Sequence, residues 1–113
     1  MAEVDPARVK NVRIKTGVVK RLAKEKTAYQ KEAEKQRERI DKMKADNKDE
    51  YDIKKQEEVL QESNMMIPDV ERRLGVAWDE LSKLMETEKD LEETKEYQDA
   101  QQVLTDTKDA ARK

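Results

Sequence analysis

Residues 53–84 read IKKQEEVLQESNMMIPDVERRLGVAWDELSKL, and they contain the most regular apolar repeat of the chain. Its positions are separated alternately by three and four residues, which is the spacing of helices packed with a left-handed twist. The pattern predicts a long helix over about residues 50–86. The repeat positions are Ile53, Gln56, Leu60, Ser63, Ile67, Val70, Leu74, Ala77, Leu81 and Leu84.

Pro68 lies inside this repeat. A proline in a helix interior removes one hydrogen bond and clashes with the carbonyl four residues earlier, at a cost of ~3 kcal/mol. Because Ile67 and Val70 stay in register on either side, we expect a kink near Asn64, and a complete break is the alternative. Met65 falls outside the repeat, either as a filler for the kink or as an adaptable contact with a partner.

Two further helices flank this one. Asp5 as N-cap and Pro6 at the first helical position predict a helix over about residues 7–44. Asp90 with Glu93 resembles a capping box and predicts a third helix over about residues 91–111. The first apolar stripe is Val12, Val19, Leu22, Tyr29, Ala33, Ile40 and Met43, with Lys15, Lys26 and Gln36 as exceptions, and the third is Tyr97, Ala100, Leu104, Thr107 and Ala111.

The short connections between these helices predict antiparallel neighbours. We therefore expect an all-α, up-down-up three-helix bundle with left-handed coiled-coil-like packing, forming a single domain over residues 1–113. The shorter third helix covers about half of the longer hairpin and packs over Trp78 and Met85. At the far end only two helices pair, where Gln36, Gln56 and Ser63 suit a half-exposed interface.

The composition excludes most catalytic chemistry. Of the 113 residues 46% are charged, and the chain has neither Cys nor His, so it lacks a thiolate nucleophile and the commonest general base. Acidic pairs such as Asp79 with Glu80 point about 100° apart on a helix. No apolar run approaches the ~18 residues of a membrane span. We expect a non-catalytic, cytosolic chain that uses no cofactor or metal and binds no membrane.

The charge is unevenly distributed. Residues 1–44 carry 14 basic and 7 acidic side chains, whereas residues 45–85 and residues 86–113 each carry more acidic than basic side chains. One group of positions on the first helix lies within about 80°, opposite the apolar stripe, and is predicted to face solvent away from the other helices. This group, the basic stripe, is Lys10, Arg13, Gly17, Lys20, Lys24, Lys31 and Lys35.

The basic stripe has two interpretations. It is either solvated surface or a docking site for an acidic protein, and Gly17 is either tolerated or a place where a partner's backbone approaches. Nucleic acid is a poor candidate, because the pI is about 5.4 and no aromatic side chains accompany the basic ones.

Several strings in this sequence are distinctive. They are residues 14–22 (IKTGVVKRL), 51–56 (YDIKKQ), 60–63 (LQES), 65–69 (MMIPD) and 88–93 (EKDLEE). Together they closely resemble the tubulin-binding cofactor A family, also called tubulin-specific chaperone A. The resemblance implies a small cytosolic three-helix protein that captures β-tubulin after the chaperonin, holds it as a monomer and passes it on towards heterodimer assembly. Other tubulin-folding cofactors would be indirect partners, and the protein would be associated with the cytoskeleton.

We therefore expect two candidate docking surfaces for β-tubulin. The first is the part of the basic stripe formed by Arg13, Gly17, Lys20, Lys24 and Lys31, and the second is the hairpin tip at Tyr51, Lys54 and Lys55. The rival hypothesis is a coiled-coil structural or adaptor protein that pairs with another copy or with a different acidic partner. We expect a monomer rather than a homodimer.

Overall fold

Asp5 caps the first helix, α1 (Pro6–Ala45), as the sequence predicts. In the computed structural model, which describes residues 4–111, Asp5 Oδ1 accepts a hydrogen bond from the Ala7 backbone N–H at 2.9 Å. Pro6 is the first helical residue, where its missing N–H costs nothing. The ends of the predicted domain, residues 1–3 and 112–113, lie outside the described range.

A four-residue connection joins α1 to α2 (Glu50–Thr87). Asn47 adopts a positive φ of 55°, and Lys48 and Asn47 donate backbone hydrogen bonds to the carbonyls of Met43 and Lys44. This pair of bonds is a Schellman motif, which satisfies carbonyls at the end of α1. Asp49 then accepts a hydrogen bond from the Tyr51 backbone N–H at 3.3 Å and caps the start of α2.

The helix α2 runs without interruption through Pro68, so the alternative of a complete break is wrong. Every position of its predicted apolar repeat is buried or half-buried, which confirms the repeat. Met65 is off the repeat as predicted, but its side chain is 68% exposed, so it does not fill a gap inside the protein.

The third helix begins later than predicted. Lys89–Leu91 form a short 3-10 helix, and α3 spans Lys95–Ala111. The predicted capping box at Asp90 and Glu93 is wrong, because Thr94 is the N-cap and its Oγ1 accepts a hydrogen bond from the Tyr97 backbone N–H at 3.2 Å. Asp90 instead binds Arg8, 82 residues away along the chain. Val103, which the predicted stripe omits, is buried.

The chain divides into two units. Unit 1 comprises Met1–Lys24 and Glu71–Lys113, of which residues 4–24 and 71–111 are described. The described part contains three α-helical segments and the short 3-10 helix. Its core joins α1, α2, the 3-10 helix and α3, and Trp78 Nε1 donates to the Leu104 carbonyl at 3.0 Å while Tyr97 Oη donates to the Met85 carbonyl at 3.2 Å. The placement of Trp78 and Met85 under α3 is confirmed. The buried core residues of unit 1 are Val12, Thr16, Val19, Leu22, Leu74, Leu81, Met85, Leu91, Tyr97, Ala100 and Val103.

Unit 2 comprises Glu25–Val70 and is a two-helix hairpin, as predicted for the far end. Gln56 and Ser63 are half-buried as expected, but Gln36 is only 6% exposed, so the expectation of a half-exposed interface is wrong there. Gln36 can be buried because its Nε2 donates to both the backbone carbonyl and the Oε1 of Gln56, at 2.9 and 2.8 Å. The buried residues of unit 2 are Lys26, Ala33, Gln36, Ile40 and Val70.

The fold is therefore all-α, with helices in up-down-up order and a shorter third helix. Residues 4–111 contain no strand. Across the same range, none of the helices combines the length and the apolar content needed to cross a membrane.

Candidate protein-binding surfaces

The basic stripe is exposed along α1. Each of its members is classed as exposed, including Lys24 in unit 1 and Lys31 in unit 2. At Gly17 a Cβ atom would meet nothing within 4 Å, so the helix surface there is open. The structure thus presents the predicted cations to solvent, as a docking site for an acidic surface requires.

Part of the basic stripe nevertheless faces α3. Arg13, Gly17 and Lys20 line a groove of about 330 Å³ whose opposite side is formed by Lys95, Glu96 and Asp99. The expectation that the stripe points away from the other helices is therefore wrong for these three positions. The reason is that α3 lies beside this part of α1, and two of its carboxylates share the groove with the cations of the stripe.

The second predicted surface lies in the first turns of α2. Tyr51 is 63% exposed, and Lys55 Nζ sits 5.3 Å from the centroid of its ring, within range of a cation–π interaction. With Lys54 and Glu58 these side chains line a shallow groove of about 190 Å³. The structure therefore brings Tyr51, Lys54 and Lys55 together, and the Asp49 cap fixes the turn that carries them.

A third surface in unit 1 was not predicted from the sequence. It is a groove of about 370 Å³ between α1 and α2, which we call the valine groove. Its lining combines apolar and charged side chains. We call the apolar set the floor (Val18, Leu22, Val76 and Ala77) and the charged set the rim (Lys15, Arg21, Arg72, Arg73 and Glu80). The only signal in the sequence is that Val18 and Val76 are apolar residues outside the predicted stripes.

A two-carboxylate clamp holds the start of α1 in unit 1. Arg8 Nε contacts Glu88 Oε2 at 2.6 Å, and Arg8 Nη2 contacts Asp90 Oδ1 at 2.5 Å. The hydrogen bonds that Arg8 donates to Asp90 and then to Glu88 raise the pKa of Arg8 above its usual range, and the hydrogen bond from Arg8 lowers the pKa of Asp90. The clamp joins α1 to the segment that precedes α3, and it explains why Asp90 does not cap a helix.

Within residues 4–111, no group of three or more His, Cys, Asp or Glu side chains is arranged to hold a metal ion. The acidic residues Asp79 and Glu80 are both exposed, and Glu80 pairs with Lys15 at 3.2 Å. The surfaces described above are open grooves that charged and aliphatic side chains line.

Comparison with known proteins identifies the family. The family model for tubulin binding cofactor A matches residues 7–104. The chain belongs to the tubulin binding cofactor A family. The resemblance seen in the sequence is thereby confirmed, and the matched residues include both predicted docking surfaces.

Relatives of this family resemble the chain in sequence and in fold. Tubulin-specific chaperone A of Homo sapiens is 58% identical over 104 residues, covering 92% of this chain and 95% of its own length. The solved structure of the human tubulin chaperone cofactor A has a TM-score of 0.78 at 55% identity and covers 89% of this chain and 98% of its own. The solved structure of tubulin folding cofactor A from Arabidopsis thaliana has a TM-score of 0.79 at 38% identity, and the match covers 93% of this chain and 99% of its own.

Proposed function

We propose that this chain is a tubulin-folding cofactor that binds and holds monomeric β-tubulin after its release from the chaperonin, on the pathway to the tubulin heterodimer. Membership of the tubulin binding cofactor A family over residues 7–104 is the observation that carries this proposal. The protein acts without catalysis and without a cofactor, in the cytoplasm and in association with the cytoskeleton. Its contact with other tubulin-folding cofactors is indirect.

Binding takes place on open helical surfaces. The basic stripe is exposed and tubulin is an acidic protein, so opposite charges speed their encounter and set their relative orientation. Arg13, Gly17, Lys20 and Lys24 form the docking positions of unit 1, and Lys31 forms the one of unit 2. Since these cations are exposed, their contribution is expected to weaken as salt concentration rises.

The hairpin tip is the second docking position. Tyr51 offers an exposed aromatic ring, and Lys54 and Lys55 place cations beside it. Aromatic and cationic side chains held together in this way are common contributors to protein interfaces.

Charge reversal on the basic stripe tests the proposal. The double variant Lys20→Glu with Lys24→Glu is expected to weaken capture of purified β-tubulin by about tenfold or more and to flatten its salt dependence, because favourable contacts become repulsive. Affinity is measured at several salt concentrations, and circular dichroism checks that the helices remain intact. The matched control is Lys83→Glu with Lys89→Glu, which makes the same charge change at exposed positions outside the stripe.

The outcomes separate the parts of the proposal. If the wild-type chain does not bind β-tubulin, the proposed function is wrong. If the stripe variant, the control and the wild type bind β-tubulin equally well, only the docking role of the basic stripe is wrong. Sedimentation tests the rival hypothesis of self-association, in which a second copy would bury Ile40, Met43 and Leu60. Ile40 is only 4% exposed and Met43 and Leu60 are half-buried, which does not favour that hypothesis.

A further inference from the structure

The valine groove combines exposed aliphatic surface with an excess of positive charge. Val76 on its floor is 54% exposed, and Val18 and Leu22 are one helical turn apart on α1 and half-buried and buried respectively. Ile14, one turn before Val18, is also exposed, at 51%. In a chain with few aliphatic residues, such a cluster at the surface is more than a scattered single side chain, and clusters of this kind mark interaction sites.

Most of the charged side chains on the rim are cationic. At one end Lys15 Nζ pairs with Glu80 Oε2 at 3.2 Å, so charge there is partly balanced. Because α1 and α2 are antiparallel, Arg21 of α1 lies towards the other end, with Arg72 and Arg73 of α2. The rim thus carries four cationic side chains and one carboxylate. A guanidinium such as that of Arg21 can bind a carboxylate through two parallel hydrogen bonds.

We propose that the valine groove docks an acidic amphipathic helix of the protein's client. An aliphatic side chain of that helix would sit between Val18 and Val76, and a flanking carboxylate would meet the guanidinium of Arg21. This inference rests on the proposed function, since the client is then a segment of β-tubulin. It adds the chemistry of the captured segment and a contact surface distinct from the basic stripe.

The affinity of β-tubulin for groove variants tests the inference. Val76→Glu is expected to weaken binding by about tenfold or more, because a carboxylate replaces the apolar contact and repels an acidic helix. Val59→Glu is the matched control, since Val59 is a 48% exposed valine on the same helix outside the groove. Arg21→Glu is expected to weaken binding and its salt dependence, with Arg37→Glu, at an exposed position on α1, as its control.

Val76→Ser guards against misfolding, since it keeps the side chain small and uncharged and should still lower affinity severalfold. If wild-type protein binds β-tubulin and Val76→Glu binds equally well, the groove inference is overturned while the proposed function stands. A similar loss with Val59→Glu also overturns it. If Val76→Glu changes the sedimentation of the chain alone, the groove holds a second copy, which again contradicts the proposal.

Discussion

The clamp around Arg8 makes part of the stability of unit 1 dependent on pH. The hydrogen bond from Arg8 lowers the pKa of Asp90 in the folded protein relative to the unfolded chain, so the ionised carboxylate stabilises the fold. This contribution is complete above the unfolded value of about 4 and is lost as pH falls through the lower folded value. Arg8 stays protonated throughout, since its own pKa is raised.

We expect Asp90→Asn to lower the free energy of unfolding at pH 7, and we expect the difference from wild type to shrink as the pH is lowered below about 4. Urea denaturation between pH 7 and the acid limit of the fold measures it. Asp79→Asn makes the same change at an exposed position on α2 and is the control. A difference that stays constant with pH would contradict this role for Asp90.

The two glycines should respond differently to substitution by alanine. Gly17 has open space around the added Cβ and a helical backbone, so Gly17→Ala is expected to raise the free energy of unfolding by about 0.5–1 kcal/mol. At Gly75 the Cβ would lie 3.2 Å from the carbonyl oxygen of Ala111, which is tight, so the gain there should be smaller or reversed. Equal stabilisation by both changes in urea denaturation would refute this. If a partner's backbone approaches Gly17, Gly17→Ala will also weaken tubulin binding.

Within the single element α2, Pro68 lowers the stability of the helix, because a proline in a helix interior removes one backbone hydrogen bond. The helix continues through it, and the residue is exposed, so its removal should sacrifice little packing. Pro68→Ala restores a backbone N–H to the carbonyl of residue 64 and is expected to raise the free energy of unfolding by about 1–3 kcal/mol. Glu62→Ala, also exposed on α2, should change it by less than about 0.5 kcal/mol. Thermal and urea denaturation measure both, and a less stable Pro68→Ala chain would show that α2 needs the proline.

The helices α1 and α2 could be predicted from local sequence because their caps and apolar periods act over a few residues. Asp5 caps its own helix, and the predicted apolar positions are buried or half-buried. The start of α3 could not be predicted, since Asp90 has an acceptor role that depends on Arg8, a residue at the other end of the chain. Local sequence shows that Asp90 can cap a helix, but not that a distant guanidinium competes for it.

The candidate surfaces also differ in whether the local sequence predicts them. The exposure of Lys24 and Lys31 follows from the helical period alone, and the structure confirms it. The valine groove depends on which residues of α1 lie opposite which residues of α2, since Val18 and Val76 are 58 positions apart in the sequence. No single helix shows that these two valines share a floor.

For the whole molecule, the two units should differ in local stability. Unit 1 buries leucine, valine and aromatic side chains from three helices, whereas the buried residues of unit 2 include Lys26 and Gln36. We therefore expect amide hydrogens of residues 25–45 and 50–70 to exchange faster, by about tenfold or more, than those of residues 7–24 and 71–87. Hydrogen exchange with mass spectrometry measures this, and each helix serves as its own control. Uniform protection along α1 and α2 would contradict it.

The glutamine pair of unit 2 has a consequence for how the hairpin aligns. If the two helices of the hairpin slid past each other by one heptad, the Gln36 amide would lose both oxygens of Gln56 and remain dehydrated without an acceptor. A lone polar partner of this kind fixes alignment in paired helices. A longer connection at residues 46–49 should therefore leave the alignment of the two helices unchanged.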